Sequence, residues 1–340
     1  MKTRVRLAAL MSACALGALG VAHAAPTAPA SEAALEARFD AQIDPAEMGR
    51  WLKQLASEPN HVGSAHDKAN AEWILAQLKS WGWDAHIETF WVLYPTPITE
   101  SLELTSGAGA GFKATLQEPP IPGDEATYRA QKTALPAYLA YQGDGDVTAP
   151  LVYVNYGMPS DYDALQRMGI SVKGKIVIAR YGAGWRGLKP KLAQDQGAIG
   201  CIIYSDPRDD GYSVDDVYPK GAARPPHGFQ RGSVADMTIY AGDPLTPGIG
   251  ATKNAKRLTR EEAPTILKIP ALPISYADAQ VLLASINGPV APPSWRGSLP
   301  ITYHVGGGEG SGVAHLAVKS DWSLKPLYDV IATLKGSEEP

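Results

Sequence analysis

Apolar positions recur at three- and four-residue spacing twice near the start of the chain. Met48, Trp51, Leu52 and Leu55 form one such face, ending near Glu58-Pro59; Ala71, Ile74, Leu75 and Leu78 form a second, ending at Trp81-Gly82. Both patterns predict helices. The β-branched and aromatic run over 86–94, closed by Pro95, predicts a strand. Helix, helix, strand is how an α/β domain opens. Short strand-like runs follow at 99–104, 136–141 and 151–156, interrupted by the proline-rich stretch 118–123. A βαβ unit is predicted over 175–206, with continuous apolar runs at 175–180 and 199–205 for buried strands and a helix over 188–196 between them. No parallel strand is expected beyond this single unit. Residues 207–265 are rich in turn formers, Pro270 and Pro273 interrupt 269–274, 278–283 predicts a short helix and 299–304 a strand. After the glycine-rich turn 306–312, Val330, Ala332 and Leu334 alternate with Asp329, Thr333 and Lys335, predicting a last strand over 327–335. If the strands at 86–94 and 327–335 belong to a sheet completed elsewhere, they expose unpaired edges, and the isolated chain should aggregate.

The first residues carry a different signal. Lys2, Arg4 and Arg6 precede an apolar stretch reaching Val21, and Ala22-His23-Ala24 supplies small residues around a cleavable bond. That is the layout of a secretory signal peptide over 1–24, and it predicts an exported protein, periplasmic or extracellular. The apolar stretch is too short to span a membrane. Cys14 in Met11-Ser12-Ala13-Cys14 loosely matches a lipoprotein motif, a less fitting alternative. Cleavage after residue 24 removes three basic residues and takes the formal charge from −4 to −7. An acidic mature chain argues against nucleic acid and anionic membrane as partners. Its length leaves room for two domains. Of the 2 cysteines only Cys201 remains, in the apolar run 199–203, which predicts a buried, inert thiol and no internal disulfide.

Candidate chemistry is thin. Gly182-Ala183-Gly184-Trp185-Arg186-Gly187 is a G-x-G-x-x-G that follows a strand, opens a helix and has Asp206 at the end of the next strand. Trp185 and Arg186 in so crowded a turn, and export away from nicotinamide cofactors, favour a structural or anion-contacting turn instead. The glycines leave Arg186 at a loop tip near a helix N-terminus, a natural place for a carboxylate. Asp206, Asp209, Asp210, Asp215 and Asp216 suggest a calcium loop, but Arg208 and Val217 fall where ligands are needed, so a solvated loop is expected. Of the histidines outside 1–24 (His61, His66, His86, His227, His304 and His315), none forms H-E-x-x-H or H-x-x-x-H; C-x-x-C, G-x-S-x-G and S-x-x-K are also missing. The residues by themselves supply no catalytic centre.

Several irregular segments nevertheless resemble one family. The runs 173–182, Trp185-Arg186-Gly187, 203–207, 230–232, 242–248, 294–298 and 328–336 are similar to the protease-associated domain and flanking peptidase sequence of the glutamate carboxypeptidase II family of zinc peptidases. The resemblance covers about 45–340. It implies an α/β peptidase domain, incomplete here, interrupted by an inserted α+β protease-associated domain. Residues 25–94 would be the first peptidase piece, 95–323 the insertion and 324–340 the return. It implies that two zinc ions, their ligands and the general-base glutamate belong to sequence following a segment like 328–340, so the chain looks like the N-terminal part of a peptidase and is expected to be inactive alone. Carried over by position, Arg186 would bind the carboxylate of the substrate's C-terminal residue with Trp185 beside it. Ser233 stands where the family has a carboxylate-binding asparagine, and this departure weakens the case for glutamate preference. Thr246 and the carbonyl of Ile249 match part of a calcium site, and a homodimer would form through C-terminal sequence. Two other readings fit the same resemblance: a non-catalytic relative similar to the transferrin receptor, and a free-standing protease-associated module for peptides or partners.

Overall fold

The computed structural model describes residues 31–337. The signal-peptide and lipoprotein readings, with Cys14, lie outside those residues. The chain divides into one compact unit up to Leu52 and a second from Lys53 onward. In the first unit, α1 (Glu32–Asp40) is capped by Ser31, whose hydroxyl accepts from the Ala34 amide at 3.3 Å, and it buries no residue. Helix α2 (Pro45–Leu55) starts on a proline with its φ already helical. The predicted apolar face of α2 is present, yet Met48 and Leu52 are exposed.

In the second unit α3 (Ala65–Ser80) is capped by Ser64 and stops at Gly82, which takes φ +86°. Strand β1 (Asp84–Leu93) follows, then β2 (Thr96–Ser106), α4 (Glu125–Ala130), β3 (Leu139–Ala140) and β4 (Gly145–Tyr153). Next come α5 (Pro159–Arg167), β5 (Ile176–Arg180), α6 (Leu188–Asp195) and β6 (Gly200–Tyr204). The remaining elements are β7 (Gly232–Ser233), β8 (Ala271–Ile274), α7 (Tyr276–Ala284), a 3-10 turn at Pro293–Trp295, β9 (Val313–Asp321) and β10 (Leu324–Thr333).

Six strands make the main sheet, in the order β2-β9-β4-β5-β6-β8. The β2, β9 and β4 pairs are antiparallel, and β4, β5, β6 and β8 run parallel. The βαβ unit therefore continues on both sides, contrary to the expectation of a single unit. The reason is visible in burial: every residue of β5 and β6 is buried, as strands covered on both faces require. Pro273 sits in β8 because β8 is an edge, where a missing N–H costs no ladder bond.

Strand β9 went unread in the sequence although it joins the two halves of the sheet. Ala314, Leu316 and Val318 are buried in alternation with half-exposed neighbours, but His315 and Lys319 on the other face dilute the apolar signal. The strand expected at 299–304 does not form. Only a bridge between Val290 and His304 is present, because Tyr303 turns its hydroxyl inward to Asp206.

β1 and β10 pair with each other antiparallel along their full length, from Asp84 opposite Thr333 to Leu93 opposite Leu324. The other edge of β1 is partly covered. Trp91 N donates to Ala251 O at 2.7 Å, Leu93 N to Asp243 Oδ1 at 2.7 Å, and Arg257 donates to Trp91 O at 2.8 Å. The expected exposure of two edges is thus reduced at β1. No helix among the described residues is long and apolar enough to cross a membrane.

Candidate functional site: the turn between β5 and α6

The turn leaving β5 is built by its glycines. Gly182 takes φ +113°, and a Cβ there would press on the Tyr156 ring at 2.7 Å. A Cβ at Gly184 would meet Met158 Sδ at 2.6 Å, and at Gly187 one would collide with the Trp185 indole. Beneath the turn Lys189 is fully buried, donating to Tyr156 O at 2.7 Å and Gly182 O at 2.8 Å. Burial pushes its ammonium down to about 8. Met158 lies against Gly184, where a dinucleotide's pyrophosphate would need to approach the backbone, and the Trp185 indole lies over Gly187. The motif serves side-chain packing and shapes no cofactor cradle.

The same turn aims Arg186. Its Nε donates to the main-chain oxygen of Ser233 at 3.1 Å, and its guanidinium lies flat against Gly232, where any Cβ would collide with it. Gly232 adopts φ +149°, a conformation that disfavours side chains. The guanidinium carbon stands 5.9 Å from the Tyr181 ring centre, and Tyr181 is fixed by donating to Gln230 O at 2.8 Å. Burial pushes the Tyr181 phenol up, and the arginine charge opposes that. With Nε on the Ser233 carbonyl and the Tyr181 hydroxyl as a further side-chain partner, the Arg186 guanidinium is held from two sides and is half-buried. Sequence reasoning paired Arg186 with Ser233, and the structure brings them together, but through the Ser233 carbonyl. The Ser233 hydroxyl is occupied locally, accepting from the Ala235 amide at 3.2 Å. Strand β7 holds Ser233 by pairing Ala140 of β3 against it. Trp185 is half-buried beside Arg186.

Thr246 and Ile249 lie in a different turn. Thr246 is buried and donates to Asp243 Oδ2 at 2.8 Å, while Ile249 is exposed. Asp243 also holds the β1 edge through Leu93. Two oxygens from one turn fall short of the six to eight that calcium takes. Among the described residues, no three His, Cys, Asp or Glu side chains gather as they would around a metal ion. The residues described here therefore do not fit a zinc centre. His304 instead bonds Gly288 O at 2.7 Å, His315 bonds Asp146 at 2.7 Å, and His66 bonds Ser57 at 3.3 Å. Cys201 is fully buried, with its thiol pushed up to about 12, and is inert.

The aspartate cluster is not a solvated loop throughout. Asp206 is fully buried and accepts from Tyr204 and Tyr303 hydroxyls at 3.1 and 2.7 Å and from Arg208 and Ser298 amides at 3.0 and 2.8 Å. Asp209 accepts from Tyr156 at 3.0 Å and faces the buried Arg180 at 3.5 Å; Asp210 accepts from Arg224 at 2.8 Å. Asp209, Asp215 and Asp216 are exposed, Asp210 is half-buried and Asp206 alone of the five is buried. Charge spacing in the sequence could not separate these roles, since their partners come from 156, 204, 224, 298 and 303.

Comparison with known proteins gives this geometry a setting. Residues 147–282 match the PA domain family. A "Probable glutamate carboxypeptidase" of Arthroderma benhamiae is 36% identical over 289 residues, covering 82% of this chain and 39% of that protein. A "Glutamate carboxypeptidase 2 homolog" of Caenorhabditis elegans is 36% identical, covering 86% of this chain and 39% of that protein. The "Aminopeptidase NAALADL1" of Rattus norvegicus is 33% identical over 316 residues, covering 88% and 42%. The chain spans about two-fifths of the length of these curated relatives. Among solved structures, a zinc aminopeptidase from Bacillus subtilis overlays with a TM-score of 0.44 at 16% identity, over 83% of this chain and 45% of that one.

Proposed function

We propose the following from one premise: this chain, a mixed α/β structure with a PA domain, is a homologue over most of its length of proteins named glutamate carboxypeptidase and NAALADL1 aminopeptidase. Its role is in an exported exopeptidase, and its contribution is to grip the terminal carboxylate of a peptide. Residues 25–94 and 324–340 would belong to the peptidase domain and 95–323 to the inserted domain. Two zinc ions, supplying a metal-activated water, would be held by residues other than those described here. Thr246 and Ile249 O would contribute to a calcium site only together with further ligands.

One observation carries the reading. Arg186 is tethered through Nε to Ser233 O, packed on Gly232 and partnered by Tyr181, so its guanidinium is held in one plane. A carboxylate fits that fork bidentately, and an arginine held in place loses less freedom on binding than a mobile one.

The test compares peptides with free and amidated C-termini in the protein expressed from the whole gene. Arg186→Ala is expected to lower kcat/KM on the free acid about 50-fold, largely through KM, and to leave the amide nearly unchanged. Gly232→Ala, which keeps the charge but displaces the fork, should reproduce a good part of that loss. Equal losses on acid and amide would remove Arg186 from carboxylate recognition. The 340-residue chain by itself is expected to bind no stoichiometric zinc and to cleave no peptide. Metal analysis showing zinc at one or two equivalents, together with hydrolysis, would overturn the assignment of the metal to other residues.

A further inference from the structure

A cavity of about 520 Å³ lies between the proline-rich stretch with α4 on one side and the 222–228 loop on the other. Its walls are largely apolar: Pro119, Ile121 and Ala134 face Ala223, Pro225 and Pro226. The charged groups at its wall differ in how far they are engaged. Glu118 is held bidentately by Arg231 at 3.2 and 2.8 Å and accepts from the Phe229 amide at 3.4 Å. Arg231 is further occupied by the carbonyls of Pro136 and Leu135 at 2.9 and 2.7 Å. Asp210 takes both the amide and Nε of Arg224, at 3.2 and 2.8 Å. Arg224 is tied down through Nε alone, and its two terminal nitrogens have no partner among the described residues. Its side chain is only 22% exposed, so a cation with two unengaged donors sits at the wall of an apolar cavity.

We propose that this cavity is a second ligand site, for a small apolar carboxylate of the kind formed by the N-acylated C-terminal residue of a hydrophobic peptide. Arg224 takes the carboxylate through its terminal nitrogens, with Asp210 fixing the guanidinium as Ser233 O fixes Arg186. The apolar side chain lies between the two proline-bearing walls. A pocket of this size with one oriented charged group is typical of small-ligand sites. Glu118 is already neutralised by Arg231, so an anionic ligand meets little repulsion there. The site does not depend on the reading of Arg186.

The experiment is titration calorimetry of the 340-residue chain with N-acetyl-L-phenylalanine, its amide and N-acetyl-L-glutamate. The aromatic acid is expected to bind at ~0.1–1 mM, at least tenfold tighter than either comparator. Arg224→Gln should abolish the preference for acid over amide. Ala222→Trp, at an exposed position lining the cavity, should block all binding without disturbing the Arg224–Asp210 contact. All titrations are made in the Arg186→Ala chain, which removes the carboxylate grip proposed above and so separates the two sites. Absence of binding to about 10 mM would overturn the proposal. So would binding in the Arg186→Ala chain that survives a further Ala222→Trp.

Discussion

Replacing Asp206 by alanine should destabilise the chain by about 4 kcal/mol, read as a lower urea midpoint at unchanged slope. The carboxylate is fully buried and accepts from two tyrosine hydroxyls and two backbone amides. Removing it leaves those donors without an acceptor in a place water does not reach, at about 1–3 kcal/mol each before relaxation. Gly297 packs so closely on the carboxylate that no side chain fits there, so the loop at 297–298 also loses its anchor. Asp206→Asn keeps one acceptor oxygen but turns an N–H₂ towards donors, and should cost about 2–3 kcal/mol. Tyr303→Phe removes a single donor and should cost about 1 kcal/mol. A loss under about 1 kcal/mol for Asp206→Ala would mean that the carboxylate does not organise the end of β6.

Glu100→Gln should act in the opposite direction and only at high pH. Both carboxylate oxygens of Glu100 are buried without a hydrogen-bond partner. Burial pushes the acid up to about 8, with the Arg231 charge pulling the other way; that guanidinium is bonded to Glu118 and not to Glu100. The other polar neighbours are the Tyr94–Tyr138 pair, whose hydroxyls bond each other at 2.7 Å and offer Glu100 nothing. Between about pH 4.5 and 8 the folded chain therefore holds a proton that the unfolded chain has released, and stability falls as pH rises through that window. Above about pH 8 both states are ionised and the penalty is constant. Glutamine cannot ionise. The variant should match the parent near pH 4 and exceed it by about 3–5 kcal/mol at pH 8.5, as successive urea denaturation curves would show. A stability difference independent of pH would refute the buried-acid account.

The elements legible in the sequence are those whose signal is local. Helix α3 was given by its apolar spacing and by Trp81-Gly82 at its end, and the pair β5 and β6 by unbroken apolar runs around α6. Strand β10 was given by strict alternation. What failed was either diluted or imposed from a distance. In β9 the buried positions Ala314, Leu316 and Val318 alternate with His315, Ala317 and Lys319, a face that dilutes the apolar signal, so its place between β2 and β4 came as a finding. The run at 299–304 looked like a strand, but its tyrosine is drawn to an aspartate ninety-seven positions earlier.

The site divides in the same way. The sequence by itself determined that a glycine-flanked turn after a buried strand would carry Trp185 and Arg186, because φ preferences and the strand-to-helix change act over a few residues. It also placed Cys201 in the interior, since a short apolar run has nowhere else to go. Only the tertiary structure decided that Arg186 meets the carbonyl of Ser233 rather than its hydroxyl, and that Asp206 is a buried hub rather than part of a solvated loop. It alone showed that Arg224 keeps two donors free beside an apolar cavity. Those outcomes rest on partners 47, 97 and 14 positions apart. Hydrogen bonds between such partners form only after sheet order and burial have fixed which groups lose their water, and periodicity along the chain does not encode that.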